Sequence, residues 1–82
     1  MDRDHILSVL IGQIREVVPE LEDRTIVAAD SMAALGIDSM ERSEILMNAL
    51  EALGMDVPMV RLHGPRNLGE LADLLNAKRS GA

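Results

Sequence analysis

The sequence predicts an all-α fold, a small four-helix bundle of three longer helices and one short one with a long first connection. Three observations lead there. Apolar residues recur at three- and four-residue spacing in three separate stretches of the 82-residue chain, the period of a one-sided helix. No stretch alternates at period two as a half-buried strand would. Pro19, Asp38, Gly54 and Asn67 fall at the edges of the periodic stretches, where helices start and stop.

The first helix spans about Asp4 to Val18 and sets Ile6, Leu7, Leu10, Ile11, Ile14, Val17 and Val18 on one face. Asp2 or Asp4 supplies its cap. Pro19 ends it, because the ring lacks an amide donor and pushes Val18 out of helical dihedrals. The connection from Glu20 to Ile37 carries Leu21, Ile26, Val27, Met32 and Leu35 as expected anchors over the core. Asp38 followed by Glu41 opens the second helix, with an acceptor side chain at each end of its first turn. That helix runs Ser39 to Leu53. Its expected apolar stripe is Met40, Met47, Leu50 and Leu53 with Ile45 or Leu46 beside it, and Gly54 is suited to a left-handed cap. Pro58 stands at the first position of a short helical turn within Val57 to Leu62, closed by Gly64-Pro65. Asn67 caps the last helix, where Leu68, Leu71, Leu74 and Leu75 share a face. One domain over residues 1–82 is expected, organised over about 4–76, with 77–82 a frayed tail.

Composition narrows the function. Fourteen acidic residues against eight Lys and Arg give a formal net charge of -6, which repels phosphate backbones and anionic lipid. No nucleic acid and no membrane are expected as partners; a basic protein face is. The apolar runs are far shorter than the roughly 20 residues that span a bilayer, and the opening Met1-Asp2-Arg3-Asp4 does not read as a signal peptide. A cytoplasmic protein is expected. Without cysteine the polypeptide has no disulfide, thiol nucleophile or thiolate ligand.

No catalytic set stands out, so the chain is expected not to be an enzyme. His5 lies in the first turn of the first helix and His63 in a Gly-Pro turn, and no serine sits in a Gly-x-Ser-x-Gly setting. Glu41 and Glu44 share helical spacing, yet nothing in the sequence suggests the apolar pocket that acid-base work would need. The acidic residues do not form a calcium loop, and no metal is expected. Ser39 remains. It starts a helix after Leu35-Gly36-Ile37, where free amides and the positive end of the helix favour a phosphodiester. Alone, Asp38-Ser39 is only a helix cap.

The setting of that pair resembles the acyl carrier family. Asp30-Ser31-Met32-Ala33-Ala34-Leu35-Gly36-Ile37-Asp38-Ser39-Met40 is similar to its phosphopantetheine attachment motif, with Met40 in place of the usual Leu. Length, acidity, the lack of cysteine, helix order and the long first connection match as well. The resemblance implies a four-helix carrier, a monomer, with 4'-phosphopantetheine esterified to Ser39 by a phosphopantetheinyl transferase. It also gives a role to Asp38, Met40, Glu41, Arg42 and Glu44, which would form the partner-recognition surface beside the serine.

A narrower resemblance, to freestanding donor carriers of polyketide β-branching cassettes, rests on three segments. These are Arg15-Glu16-Val17-Val18-Pro19-Glu20-Leu21-Glu22, Ser39-Met40-Glu41-Arg42-Ser43-Glu44-Ile45 and Asn67-Leu68-Gly69-Glu70-Leu71-Ala72-Asp73-Leu74-Leu75. Fatty-acid carriers usually place an apolar residue where Ser43 stands and a small or acidic one where Arg42 stands. Several donor carriers have Asn at the position of Asp38. The resemblance implies an acetyl group, made by decarboxylating malonyl and presented to an HMG-CoA-synthase-like enzyme. A ketosynthase or decarboxylase and an acyltransferase would be further partners. Arg42 then either discriminates among partners or makes a helical ion pair with Asp38 or Glu41. A general fatty-acid or polyketide carrier and an acidic helical interaction module without prosthetic group are the alternatives.

Overall fold

Asp2 begins the first helix in the structure, a computed structural model that describes residues 2–80. Helix α1 covers Arg3–Val17, and of the two capping candidates Asp2 is the one used: its carboxylate accepts the His5 N–H at 2.9 Å. Ile6, Leu10 and Ile14 are fully buried along one line of the helix, while Leu7, Ile11 and Val17 pack at the margin. Pro19 ends α1 as predicted. It also starts a 3-10 turn, Pro19–Leu21, that carries Leu21 into the core.

The connection that follows is pinned along its length. Ile26, Met32, Leu35 and Ile37 are buried. Val27, an expected anchor, is instead half exposed. Its N–H donates to the Asp30 carboxylate at 2.8 Å and its carbonyl accepts the Asp30 N–H at 3.0 Å, so Val27 heads a tight turn that faces its side chain outward. A second turn closes from Ser31 to Ile37 through Leu35 N–H to Ser31 O and Ile37 N–H to Met32 O. Gly36 sits there at φ 81°, in the left-handed region that glycine enters without strain.

Helix α2 covers Ser39–Leu53 and ends on Gly54 at φ 66°, a left-handed cap. Its buried stripe differs from the expected one. Ile45, Leu46, Ala49, Leu50 and Leu53 face the core, whereas Met40 is 82% and Met47 60% exposed. At about 100° per residue a helix presents one line inward, and Leu46-Ala49-Leu50-Leu53 is the denser apolar line. Met40 and Met47, seven apart, lie together on the far side. Beyond α2, Pro58 precedes rather than starts the short element, a 3-10 turn over Met59–Leu62 whose last residue is fully buried.

Helix α3 covers Leu68–Ser80. The Asn67 side chain accepts the Glu70 N–H at 2.8 Å, and the Glu70 carboxylate accepts the Arg66 N–H at 3.1 Å. Leu68, Leu71, Ala72 and Leu75 are buried. The helix continues past residue 77, where fraying is expected from sequence. Arg79 donates to the Asn76 side chain at 3.3 Å, and Lys78 and Arg79 offset the negative end of the helix. Residues 81 and 82 of that expected tail lie outside the described residues.

All regular structure among the described residues is helical: three α-helices and two 3-10 turns. Helix α1 packs against both α2 and α3, while α2 and α3 make little direct contact with each other. That seam is bridged by the first connection: Leu68 N–H donates to Asp30 O and Gly69 N–H to Ala28 O, both at 2.9 Å. No helix among the described residues is long and apolar enough to cross a membrane.

Candidate functional site

Ser39 is the first residue of α2 and is exposed. The residues around it explain why the chain turns into a helix there. The Asp38 carboxylate accepts the Glu41 N–H at 2.8 Å, and the Glu41 carboxylate accepts the Asp38 N–H at 3.1 Å, a reciprocal capping box. These two bonds occupy the amides of Asp38 and Glu41. The amides of Ser39 and Met40, between them, have no acceptor among the described residues. An anion attached at Ser39 would meet those two donors at the positive end of α2.

Ser39 also stands on the wall of an open pocket of about 290 Å³ in the seam between α2 and α3. Met32, Ile37, Leu68 and Leu71 give the pocket apolar walls, and Ser31, Asn67, Arg42 and Arg66 give it polar ones. The starts of α2 and α3 therefore converge on one hollow. Arg66, Asn67 and Ser31 were not among the site residues expected from the sequence, although Asn67 was expected as a helix cap. The signal for Asn67 and Arg66 was present, since a capped helix start after Gly64-Pro65 must lie at one end of the bundle, but sequence spacing does not say that the end is the one holding Ser39.

The remaining predicted site residues separate into three groups. Asp38 and Glu41 are turned onto the backbone as caps. Met40 and Glu44 are exposed and lie on one line of α2 with exposed Met47 and Glu51, so that face alternates thioether and carboxylate. Arg42 makes no ion pair with Asp38 or Glu41, one of the two roles its position suggested. Its Nη2 donates to the main-chain oxygen of Leu62 at 3.3 Å, and the ion pairs among the described residues both belong to Arg3, with Asp4 and Asp73. His5 and His63 are exposed and neither lines the pocket. Among the described residues no three His, Cys, Asp or Glu side chains cluster as metal ligands would.

Comparison with known proteins places this geometry. The family model for the phosphopantetheine attachment site matches residues 8–75. The chain is 42% identical to the polyketide biosynthesis acyl carrier protein AcpK of Bacillus subtilis strain 168 over 82 residues, all of both chains. It superposes with a TM-score of 0.89 and 43% identity on a chain of the crystal structure of the curacin-pathway HMG synthase in complex with its acetyl-donor acyl carrier protein. That match covers 94% of this chain and 99% of the other.

Proposed function

The chain belongs to the phosphopantetheine-bearing acyl carrier family, and from that premise we propose that it is the acetyl-donor carrier for polyketide β-branching, with the prosthetic group on Ser39. The observation that carries this is the likeness, end to end, to the donor carrier of an HMG synthase complex. Its partners on this reading are a phosphopantetheinyl transferase, a ketosynthase or decarboxylase with an acyltransferase, and an HMG-CoA-synthase-like enzyme. The chain works as a single cytoplasmic domain and is itself a substrate of these enzymes.

The residues present fit 4'-phosphopantetheine. An exposed hydroxyl, two unengaged amides and an open pocket meet at Ser39, and no side chain among the described residues takes the hydroxyl. Loading would form an ester between Ser39 Oγ and the phosphorus of the arm, break the pyrophosphate of coenzyme A with adenosine 3',5'-bisphosphate as the leaving group, and release the hydroxyl proton to the transferase. The arm supplies a thiol that holds acyl groups as thioesters, which this cysteine-free chain lacks. The protein's own work is placement. The capping box fixes the first turn of α2, and with it the point from which the arm extends. The exposed Met40-Glu44-Met47-Glu51 face offers adaptable apolar contact ringed by charge, suited to fast, salt-sensitive encounters with basic partner surfaces.

Intact-mass analysis after incubation with a phosphopantetheinyl transferase and coenzyme A, beside a Ser39→Ala control, tests the attachment. A gain of one phosphopantetheine that the control lacks is expected. No gain on folded protein would reduce Asp38-Ser39 to a cap and leave an acidic interaction module. Transfer of acetyl from the loaded protein to an HMG-CoA-synthase-like enzyme then separates a donor from a general carrier, which the synthase would ignore.

A further inference from the structure

We propose that Arg66 is the counter-ion of the phosphodiester on Ser39, and that loading therefore fastens the start of α3 to the start of α2. This rests on Ser39 being the attachment point. A phosphodiester carries a full negative charge at neutral pH, and here it would stand beside the carboxylates of Asp38 and Glu41 in a chain of net charge -6. The free amides of Ser39 and Met40 answer part of that charge, and a cation close by would answer more of it. Two of the chain's eight lysine and arginine residues line the pocket that Ser39 borders, Arg42 and Arg66.

They are not equally available. Arg42 already spends a guanidinium nitrogen on Leu62 O. Arg66 is held by its backbone, whose N–H donates to Glu70, while its guanidinium makes no hydrogen bond or ion pair among the described residues. The backbone beneath it is fixed in turn: Asn67 caps α3, and Leu68 N–H is bonded to Asp30 O. Arg66 thus combines an anchored root with a free planar head, the form suited to a two-pronged grip on phosphate oxygens. Because α2 and α3 scarcely touch directly, this grip would span a seam that is otherwise joined through the first connection.

Hydrogen exchange on unloaded and loaded protein decides it, with wild type, Arg66→Gln and Arg66→Lys each prepared in both forms and loading verified by intact mass. Amides of His63, Gly64, Arg66 and Asn67 should exchange about two- to fivefold more slowly in loaded than in unloaded wild type, the effect of one screened surface ion pair. The difference should vanish in Arg66→Gln, persist in part in Arg66→Lys, and fade in about 0.5 M salt. Equal slowing in loaded wild type and loaded Arg66→Gln would overturn the counter-ion role, as would no slowing in wild type. In both cases the mass gain leaves the carrier reading standing. A chain that gains no mass overturns that reading and this inference with it.

Discussion

The guanidinium of Arg42 crosses from the first turns of α2 to the main-chain oxygen of Leu62, donating at 3.3 Å. One side chain thereby ties the residue three places after Ser39 to the 3-10 turn that follows α2. Replacing Arg42 by Ala should leave far-UV circular dichroism unchanged, since the residue is not part of the helix core. Amides of residues 59–62 should exchange about two- to tenfold faster, the effect of losing one net hydrogen bond of about 0.5–1.5 kcal/mol. Acetyl transfer through an HMG-CoA-synthase-like enzyme should slow. An unchanged transfer rate with faster exchange would make Arg42 a strut and remove it from partner recognition.

Asp38 has a different part, as the side chain on which α2 begins. Asp38→Ala removes the acceptor of the Glu41 N–H and should cost about 1 kcal/mol. In a domain of this size that is about 4–8 °C in thermal midpoint. Asp38→Asn keeps an acceptor and should melt within about 2 °C of wild type, the small loss expected between good caps. A thermal melt followed at 222 nm reads both. An Asn variant as unstable as the Ala variant would show that the charge, and not the cap, matters.

Met40, 82% exposed, contributes little to the core. Met40→Ala should keep stability within about 0.5 kcal/mol, as surface replacements do, and yet reduce the rate at which loaded protein reacts with its synthase. Equal rates for Met40→Ala and wild type would remove Met40 from the docking face.

Asp2 predicts an acid-side effect. Its carboxyl is held below the ordinary aspartate value of 3.8, chiefly by the His5 N–H that it accepts. A carboxyl whose folded pKa is depressed adds stability above its unfolded value and loses it as pH falls through the folded one. The His5 amide resonance should therefore move with a midpoint below 3.8, and the start of α1 should loosen only below that pH. Asp2→Asn should abolish the titration. A midpoint at or above the ordinary value would contradict the cap.

The helix ends were the most legible part of the sequence, because capping is local chemistry. Asp38 with Glu41, Gly54, Pro19 and Asn67 each act where spacing alone puts them. The inward line of α2 was less legible. Met40, Met47, Leu50 and Leu53 and the true line through Leu46 both contain apolar residues at helical intervals, and only contact with α1 selects between them. Val27 is similar: nothing in its apolar side chain announces that Asp30 will fold the backbone into a turn beneath it. At the site, Ser39 is marked by its neighbours in sequence. Arg66 is not, since it comes to the pocket from 27 positions away through the packing of α3 on α1.

Helix α1 alone packs broadly on both other helices, and this separates the demands of folding from those of use. Changes at Ile6, Leu10 or Ile14 strike the support of α2 and α3 at once, so these positions have little freedom to vary. The seam where Ser39, Arg42 and Arg66 meet bears almost none of that weight. Arg42 and Arg66, beside Ser39, can therefore be replaced at little cost in packing, whereas the three isoleucine and leucine positions of the α1 hub cannot.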